Sequence, residues 1–288
     1  MNELTWTGER LITQIVNNYG TIEHLHRYAI AKQFAQDKII LDIASGEGYG
    51  SNLLSENAKF VFGVDIDEEA VNFANRKYKK DNLNYKVGSA SEIPLDDNSV
   101  DLIISFETIE HHTKHKEMML EFKRVLKSDG LIILSSPEKS IYKERDPDNP
   151  FHVKELTLTE LKKLTSSYFK YSSFSKQFYF TGSVIIPFEE QISSSIKTFD
   201  GNYTRISDTL EEKNFYNKPY FNIALLCNDI QKYDNSVANI ASIFNGYNVY
   251  EQQIVDLEKR IRNAYSSTTF KVGNIILTPL KFLKRIFK

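Results

Sequence analysis

Residues 39–50 of the sequence read IILDIASGEGYG, an apolar run that leads directly into a glycine-rich turn. The apolar run predicts a buried strand, and Asp42 stands where that strand ends. Gly46 and Gly48 lack the Cβ atoms that would keep a ligand away from the backbone of the turn. The carboxylate of Asp42 can accept a hydrogen bond from an ammonium group of such a ligand. The stretch therefore predicts a strand that ends in a ligand-binding turn.

The spacing around this turn distinguishes it from two common nucleotide-binding turns. A dinucleotide-binding Gly-x-Gly-x-x-Gly turn that began at Gly46 would place its last glycine where Ser51 stands. No Gly-Lys-Ser or Gly-Lys-Thr follows, which excludes a P-loop. About 20 residues on, an apolar run over residues 60–67 carries Asp65, whose carboxylate can accept from both hydroxyls of a ribose. The turn and Asp65 together predict a nucleoside site.

Short apolar runs and helical patterns alternate along residues 38–134, and this alternation predicts an α/β fold with a parallel sheet. The predicted strands cover residues 39–41, 60–64, 85–87, 100–105 and 131–134. Apolar residues at spacings of three and four predict helices over residues 68–79 and 117–126. Later patterns predict a helix over residues 156–168, capped by Thr157 and Glu160, and strands over residues 171–180 and 220–226.

Three parts are predicted along the chain: a domain over residues 1–230, a helix over residues 236–265 and a tail over residues 266–288. Residues 189–218 form a polar insertion in the domain, either a lid over a substrate cleft or a surface excursion. The apolar residues of the helix follow the steps of a heptad repeat. They are Ile243, Tyr247, Tyr250, Ile254, Leu257, Ile261 and Ala264. The repeat predicts either a coiled coil, and with it a homo-oligomer through residues 240–264, or one amphipathic helix packed on the sheet.

Composition sets the expected surroundings of the chain. The formal net charge of the 288 residues is -2, so no general affinity for nucleic acid is expected. The single cysteine, Cys227, fits a reducing compartment, and no secretion signal or membrane span is apparent, so a cytoplasmic protein is expected. Residues 266–288 combine five cations with large apolar residues and no acid. They predict a contact with the inner face of the membrane or with a membrane-bound assembly partner, or a tail folded onto its own domain.

The glycine turn and the motifs after it resemble class I methyltransferases that depend on S-adenosylmethionine (SAM). The first motif of that family reads acid-x-Gly-x-Gly-x-Gly, and here Ala44 stands in place of the first glycine, between Asp42 and Gly46. The similarity also includes GSA at residues 88–90 and FETIEH at residues 106–111. It implies SAM as the cofactor and a Rossmann-like, seven-stranded, mostly parallel sheet flanked by helices. The heptad pattern adds a C-terminal helical or coiled-coil extension.

The resemblance also implies which residues surround the cofactor. Ser89 stands where the family often has an aspartate that accepts from the adenine amino group, and the Ala90 amide would donate to the ring. Ile66 and Phe106 would flank the adenine and the sulfonium, or else serve only as core residues. Glu107, at the end of the fourth strand, would lie beside them.

The beginning of the chain resembles a bacterial methyltransferase subgroup linked to surface polysaccharides, through TGER at residues 7–10 and EHLHRY at residues 23–28. This similarity implies that Arg10 and Tyr28 bind the carboxylate of SAM, since a guanidinium and a phenol both donate to carboxylates. Structural hydrogen bonds or a solvated helix face are the other roles open to them. A hydroxyl or terminal group of a bacterial glycan is the expected acceptor.

A hydroxyl acceptor loses its proton as it takes a methyl group, so a base is expected on the acceptor side. His111, which follows the fourth strand, is the first candidate, and His152, in the loop after the fifth strand, is the second. A loop-fixing role is the alternative for both. No metal site is predicted.

Three functions fit these residues. The first is O-methylation of a glycan, and the second is methyl transfer to a quinone or to a lipid-like small molecule. The third is a non-catalytic scaffold of the same fold in a polysaccharide assembly complex. The presence of both Gly46 and Asp65 favours an enzyme.

Overall fold

Eleven strands of the computed structural model form one sheet within the residues that the structure describes. These residues are 4–5, 8, 10–13, 18–143, 146–180, 182–187, 197–208, 219–229, 242–245 and 247–269. The strands are β1 (Ile39–Ile43), β2 (Phe60–Asp65), β3 (Leu83–Val87), β4 (Val100–Phe106), β5 (Leu126–Pro137), β6 (Tyr171–Phe180), β7 (Gly182–Pro187), β8 (Lys197–Asn202), β9 (Arg205–Asp208), β10 (Pro219–Cys227) and β11 (Ser242–Asn245). The helices are α1 (Asn18–Gln33), α2 (Tyr49–Leu54), α3 (Glu68–Lys77), α4 (His115–Val125), α5 (Lys139–Tyr142), α6 (Leu158–Ser166) and α7 (Tyr247–Ser266).

Seven strands form the predicted Rossmann-like sheet, in the order β3-β2-β1-β4-β5-β10-β6. Neighbours from β3 to β5 pair in parallel, whereas β10 runs antiparallel to both β5 and β6. The prediction of a seven-stranded, mostly parallel sheet with flanking helices is confirmed. Because β1, β2, β4 and β5 are parallel, their carboxyl ends share one edge of the sheet, where ligands of such folds bind.

Local sequence signals set the helices beside this sheet. The apolar faces of α3 and α4 are buried, as their three- and four-residue spacing predicts. At the start of α6, the Thr157 hydroxyl accepts from the Glu160 amide at 3.2 Å, and the Glu160 carboxylate accepts from the Thr157 amide at 2.8 Å. This reciprocal pair is the predicted cap, and it begins the helix at Leu158.

Four further strands extend the sheet beyond the predicted seven, in the order β7-β11-β8-β9. Helix α1 packs against three of them, β7, β8 and β11. His26 of α1 is buried there, with Nδ1 2.8 Å from the Ser183 hydroxyl and Nε2 2.9 Å from the Ser242 hydroxyl. Burial lowers the pKa of His26, so the ring is neutral and can both donate and accept. The extension is thus joined to α1 through buried polar contacts.

The predicted insertion over residues 189–218 contributes the hairpin of β8 and β9 to this extension. At the turn of the hairpin, the Tyr203 hydroxyl lies 2.6 Å from the Thr21 hydroxyl, and its ring meets the ring of Tyr49 edge to face at 5.7 Å. The remainder of the insertion, residues 189–196 and 209–218, lies outside the described residues.

The prediction of one continuous helix over residues 236–265 is wrong at residues 242–245, and residues 236–241 lie outside the described residues. Ser242–Asn245 forms β11, which pairs with β7 and β8, and α7 begins at Tyr247. Ile243 follows the heptad steps, but a β-branched residue next to an aromatic one, Phe244, also suits a strand, and Phe244 is completely buried. A short apolar run of this kind does not distinguish a helix from a strand.

The chain divides into two compact units, Met1–Gly246 and Tyr247–Lys288. In the second unit, apolar residues of α7 are each more than half exposed, namely Ile254, Val255, Leu257, Ile261 and Tyr265. Residues 270–288 of the predicted basic tail lie outside the described residues. Within the described part of the chain, no helix is long and apolar enough to cross a membrane.

Candidate functional site

The glycine turn after β1 has a left-handed backbone at Ala44, Gly46 and Gly48, with φ angles of 59°, 55° and 92°. Alanine adopts such an angle at a cost of about 1 kcal/mol, which is how Ala44 replaces a glycine here. A Cβ added to Gly46 would first meet Arg10 Cγ, at 3.6 Å. A Cβ added to Gly48 would lie 2.7 Å from Cε1 of Tyr85. Packing therefore requires a glycine at position 48. At Gly46 an added Cβ would make only ordinary van der Waals contacts with Arg10.

Asp65, at the end of β2, is bonded directly to this turn. One carboxylate oxygen accepts from the Gly46 amide at 2.7 Å, and the other accepts from the Asp67 amide at 2.9 Å. Each oxygen retains a further acceptor position, because a carboxylate oxygen has two lone pairs. The two groups predicted to bind a nucleoside thus lie side by side, as the order of the strands requires.

Asp42 is almost fully buried and accepts hydrogen bonds from two hydroxyl groups. The Ser51 hydroxyl donates at 2.6 Å, and the Tyr28 hydroxyl lies 3.1 and 3.2 Å from the two carboxylate oxygens. The pKa of Asp42 is raised to about 7, mainly by burial and to a smaller extent by the charge of Asp65, while the bonds from Ser51 and Tyr28 act in the opposite direction. Asp42 is therefore a carboxyl group that titrates near neutral pH.

Tyr28 is placed inside the site rather than at its surface. Its hydroxyl proton is directed at Asp42, and its ring meets Tyr49 at 5.6 Å and Phe106 at 5.2 Å, both edge to face. The ring also covers the backbone of Gly50, where an added Cβ would lie 1.9 Å from Tyr28 Cζ. Burial is the main cause of a pKa of Tyr28 well above its usual value. The structure thus gives Tyr28 the structural hydrogen bond that was the alternative to a contact with SAM.

Arg10 lies over the glycine turn. Its Nη2 is 2.7 Å from Oδ2 of Asp67, the residue that also caps α3 by accepting from the Glu69 amide at 2.8 Å. The bond from Arg10 and the backbone bonds hold the pKa of Asp67 below its usual value against the effect of burial. The guanidinium is therefore fixed beside Gly46, within the predicted cofactor site.

The residues that the family resemblance implies around the adenine occupy different environments. Ile66 is 76% exposed beside Asp65, so it is not a core residue. Ser89 follows β3 and its hydroxyl is 3.0 Å from that of Ser91, within a local turn. Ala90 is buried in the main core cluster. Of these three residues, Ile66 alone presents a large exposed apolar side chain at this edge of the sheet.

At the end of β4, the partly buried Glu107 lies near a fully buried arginine, a pairing that the sequence did not reveal. Glu107, with φ of 50°, exchanges hydrogen bonds with the Ser135 hydroxyl at 2.6 and 3.2 Å. Arg27 is 1% exposed, with Nη1 3.7 Å from the Glu107 carboxylate and 2.8 Å from the side-chain oxygen Oε1 of Gln177, to which it donates. The guanidinium also lies 4.8 Å from the ring centre of Phe221. The sequence offered no distinct signal for Arg27, because the buried side of α1 also carries the polar Thr21, Glu23 and His26.

The two candidate histidines lie together beside Glu110. The His111 and His152 rings meet edge to face with centres 5.2 Å apart. Nδ1 of His111 is 3.1 Å from the Phe151 carbonyl oxygen, and Nδ1 of His152 is 2.6 Å from the Glu155 carboxylate. One ligand atom of each of Glu110, His111 and His152 lies within 4.8 Å of the others, a grouping that can hold a metal ion. No metal site was predicted from the sequence, in which residues 110–111 and 152 are far apart.

Comparison with known proteins identifies relatives of the central region. Residues 41–134 match the family described as a methyltransferase domain. A "probable S-adenosylmethionine-dependent methyltransferase" of Mycobacterium tuberculosis is 35% identical over 164 residues, which cover 56% of this chain and 59% of the relative. A protein of the same description from Mycolicibacterium smegmatis is 34% identical, with 56% and 63% covered. The chain thus spans less than two thirds of the length of these relatives.

Solved structures support the fold alone. The crystal structure of a SAM-dependent methyltransferase from Thermotoga maritima superposes with a TM-score of 0.51 at 17% identity, covering 72% of this chain and 90% of that chain. At this identity the likeness extends to the arrangement of helices and strands and not to the acceptor. It agrees with the sheet order described above.

Proposed function

We propose that this chain, whose residues 41–134 match the methyltransferase domain, transfers the methyl group of SAM to a hydroxyl or terminal group of a bacterial glycan. The matched family and the descriptions of the relatives indicate SAM as the cofactor. The observation that carries the proposal is the 2.7 Å bond from the Gly46 amide to Asp65. It fixes the glycine turn beside the carboxylate predicted to bind ribose.

Each part of SAM has a proposed partner at this edge of the sheet. The ribose hydroxyls would bind the remaining acceptor positions of Asp65, and the ammonium group would lie on the side of Asp42. Arg10, which also donates to Asp67, would bind the SAM carboxylate above Gly46, because the geometry of a guanidinium matches that of a carboxylate. Tyr28 would act indirectly, by fixing the position of the Asp42 carboxyl group.

The adenine and the sulfonium have proposed places on either side of the ribose. Exposed Ile66 would cover the adenine ring, with Ser89 and the Ala90 amide at its edge. The sulfonium methyl would point toward Phe106 and Glu107 at the end of β4. Binding in this orientation positions the methyl carbon for in-line attack, and positioning supplies much of the rate of such reactions.

Binding of SAM is expected to strengthen with pH, because the pKa of Asp42 is raised to about 7. Below this pH the carboxyl group is neutral, and above it the carboxylate attracts the ammonium group of SAM. Affinity should rise about tenfold between pH 6 and pH 7.5. Calorimetric titrations of the wild type and of Asp42→Asn would measure this, since the asparagine variant has no charge to gain. Equal pH profiles for the two proteins would contradict the role of Asp42.

The acceptor side is proposed to consist of Glu107, His111 and His152. As the acceptor oxygen attacks, its bond to the methyl carbon forms while the carbon–sulfur bond breaks, and the sulfonium becomes a neutral thioether. The hydroxyl proton must leave during this step. We assign the promotion of this loss to His111, in the turn after β4, and His152, in the loop after α5, whose rings meet edge to face.

Labelled SAM tests the transfer and the acceptor together. The full chain is incubated with glycan and lipid fractions of the source cell, and label is expected in the glycan fraction. His111→Ala and His152→Ala should each lower turnover about 100-fold or more while they bind SAM as tightly as the wild type. The control His112→Ala should keep the turnover of the wild type. Label in the lipid fraction would support the lipid-like acceptor instead. Calorimetric binding of SAM without transfer to any fraction would favour the scaffold.

Two further proposals concern the C-terminal unit. The exposed Ile254, Leu257 and Ile261 of α7 support pairing of two copies through this helix. The five cations of residues 266–288 support a contact with the inner face of the membrane. The first proposal is tested by comparing the sedimentation of the full wild-type chain with that of Leu257→Lys. The second is tested by comparing the flotation of the full chain with anionic liposomes with that of a chain ending at residue 265. A wild-type chain that is monomeric at all concentrations would contradict the pairing. Flotation that the truncation leaves unchanged would contradict the membrane contact.

A further inference from the structure

Two separate loops bring a carboxylate and two imidazoles together at the acceptor side of the site. Glu110 and His111 belong to the single helical turn Ile109–His111 that follows β4, and His152 belongs to the loop that follows α5. One ligand atom of each residue lies within 4.8 Å of the other two, and Nε2 of His111 is 4.0 Å from Oε1 of Glu110. We propose that Glu110, His111 and His152 bind one divalent transition-metal ion, with Zn²⁺ as the best-fitting species.

The position of the His152 loop is fixed by hydrogen bonds to the other two ligands, through the backbone of Glu110 and the side chain of His111. The amides of Val153 and Lys154 both donate to the Glu110 carbonyl oxygen, at 2.9 and 3.0 Å. The Phe151 carbonyl oxygen is in turn bonded to His111 Nδ1. Three hydrogen bonds therefore join the loop to the turn on both sides of His152. The three side chains are brought together by the fold before any ion binds.

The outer hydrogen bonds orient both imidazoles for metal binding. A carbonyl oxygen only accepts, so the bond to Phe151 places the proton of the neutral His111 ring on Nδ1 and the lone pair on Nε2. The Glu155 carboxylate does the same for His152 at 2.6 Å. Metal-binding histidines characteristically donate their second nitrogen to a carboxylate or a backbone carbonyl in this way. Both partners are present here, one of each kind.

The donor set selects the kind of ion. Two imidazole nitrogens and one carboxylate oxygen are the ligands of several catalytic zinc sites, whereas Mg²⁺ prefers oxygen ligands alone. Bonds of about 2.1 Å would hold neighbouring ligand atoms roughly 3.4 Å apart, so the side chains need to approach by about an ångström. Three protein ligands also leave one coordination position open. An acceptor oxygen can occupy that position.

The role of this ion in catalysis rests on the proposed function, while its binding does not. A bound divalent ion lowers the pKa of a coordinated hydroxyl. The acceptor hydroxyl would lose its proton to solvent water on coordination, and its oxygen would then form the bond to the methyl carbon as the carbon–sulfur bond breaks. His111 and His152 would thus promote loss of the proton as ligands of the ion rather than by accepting the proton themselves.

Metal content tests the site directly. The full chain, without a histidine tag, is stripped with a chelator, dialysed against Zn²⁺ and analysed by mass spectrometry, and about one equivalent is expected. His111→Ala, His152→Ala and Glu110→Gln should each retain less than about a tenth of this amount, and His112→Ala, at the residue directly after the turn, should retain all of it. Co²⁺ should give visible absorption bands in the wild type and in none of the three ligand variants. Wild-type uptake no higher than that of His111→Ala would overturn the proposal.

A positioning variant and SAM titrations complete the test. Glu155 would act on the ion only by orienting the His152 ring. Glu155→Gln should therefore weaken Zn²⁺ binding about 10- to 100-fold. Unaltered Zn²⁺ affinity in this variant would contradict the proposed orientation of His152. Each variant should bind SAM like the wild type, which shows that it is folded. If the wild type binds Zn²⁺ but not SAM, the proposed function fails and the metal site stands. If stripped and loaded protein transfer methyl groups equally fast, the catalytic role of the ion is refuted.

Discussion

Gly50→Ala is expected to lower the free energy of unfolding by about 3 kcal/mol and to weaken SAM binding. The added Cβ would lie 1.9 Å from Cζ and 2.3 Å from the hydroxyl oxygen of Tyr28. Tyr28 has no space to move, because its ring lies between those of Tyr49 and Phe106 and its hydroxyl bonds Asp42. Either the ring or α2 must shift, and a shift of either one separates Asp42 from a hydrogen-bond donor.

The direction of this effect distinguishes packing from helix propensity. Gly50 lies in α2, where alanine is by propensity the better residue by up to about 1 kcal/mol. A matched control is Gly46→Ala, which places its Cβ 3.6 Å from Arg10 and should cost about 1 kcal/mol for its positive φ. Denaturant unfolding measures both. A Gly50→Ala protein as stable as the wild type would show that Tyr28 is not packed against this helix.

The sequence was informative where one local pattern determines both the structure and the site. The apolar run before Asp42 and the later run that ends at Asp65 predicted two parallel neighbours, and β1 and β2 pair in this way. Because carboxyl ends of parallel strands meet at one edge, the meeting of Asp65 with the glycine turn followed from the order of the elements alone. The cap at Thr157 was predictable for the same reason, since all of its contacts lie within one turn.

The sequence was least informative where a contact joins distant segments. Gly50 reads as part of the glycine turn, yet the ring that requires it belongs to Tyr28 in α1. Buried Arg27 depends on Gln177 of β6, and the pairing of His111 with His152 depends on the loop after α5. No spacing rule relates such positions. The four added strands escaped prediction because they are short and their apolar residues also fit other patterns.

Asp65→Asn is expected to weaken SAM binding about 100-fold and to lower the free energy of unfolding by about 1–3 kcal/mol. The Asp65 carboxylate accepts from the Gly46 and Asp67 amides with its two oxygens. An asparagine has one acceptor oxygen, so its amide nitrogen would face one of these two N–H groups as a second donor. Calorimetric titration and denaturant unfolding measure the two losses, and Asp81→Asn, at an exposed position, should cause neither.

A nucleoside without one hydroxyl separates a contact to the ribose from a purely structural role of Asp65. The wild type should bind S-adenosylhomocysteine more tightly than its 2′-deoxy analogue by about tenfold, the value of one hydrogen bond to a charged group. In Asp65→Asn this preference should shrink, because the ribose 2′-hydroxyl and the Asp65 carboxylate bind each other. The losses of binding free energy from removing either group are then not additive. If the variant keeps the full preference, Asp65 only fastens the turn. In that case the ribose must find its acceptor elsewhere, and the carboxylate serves the site solely through the Gly46 amide.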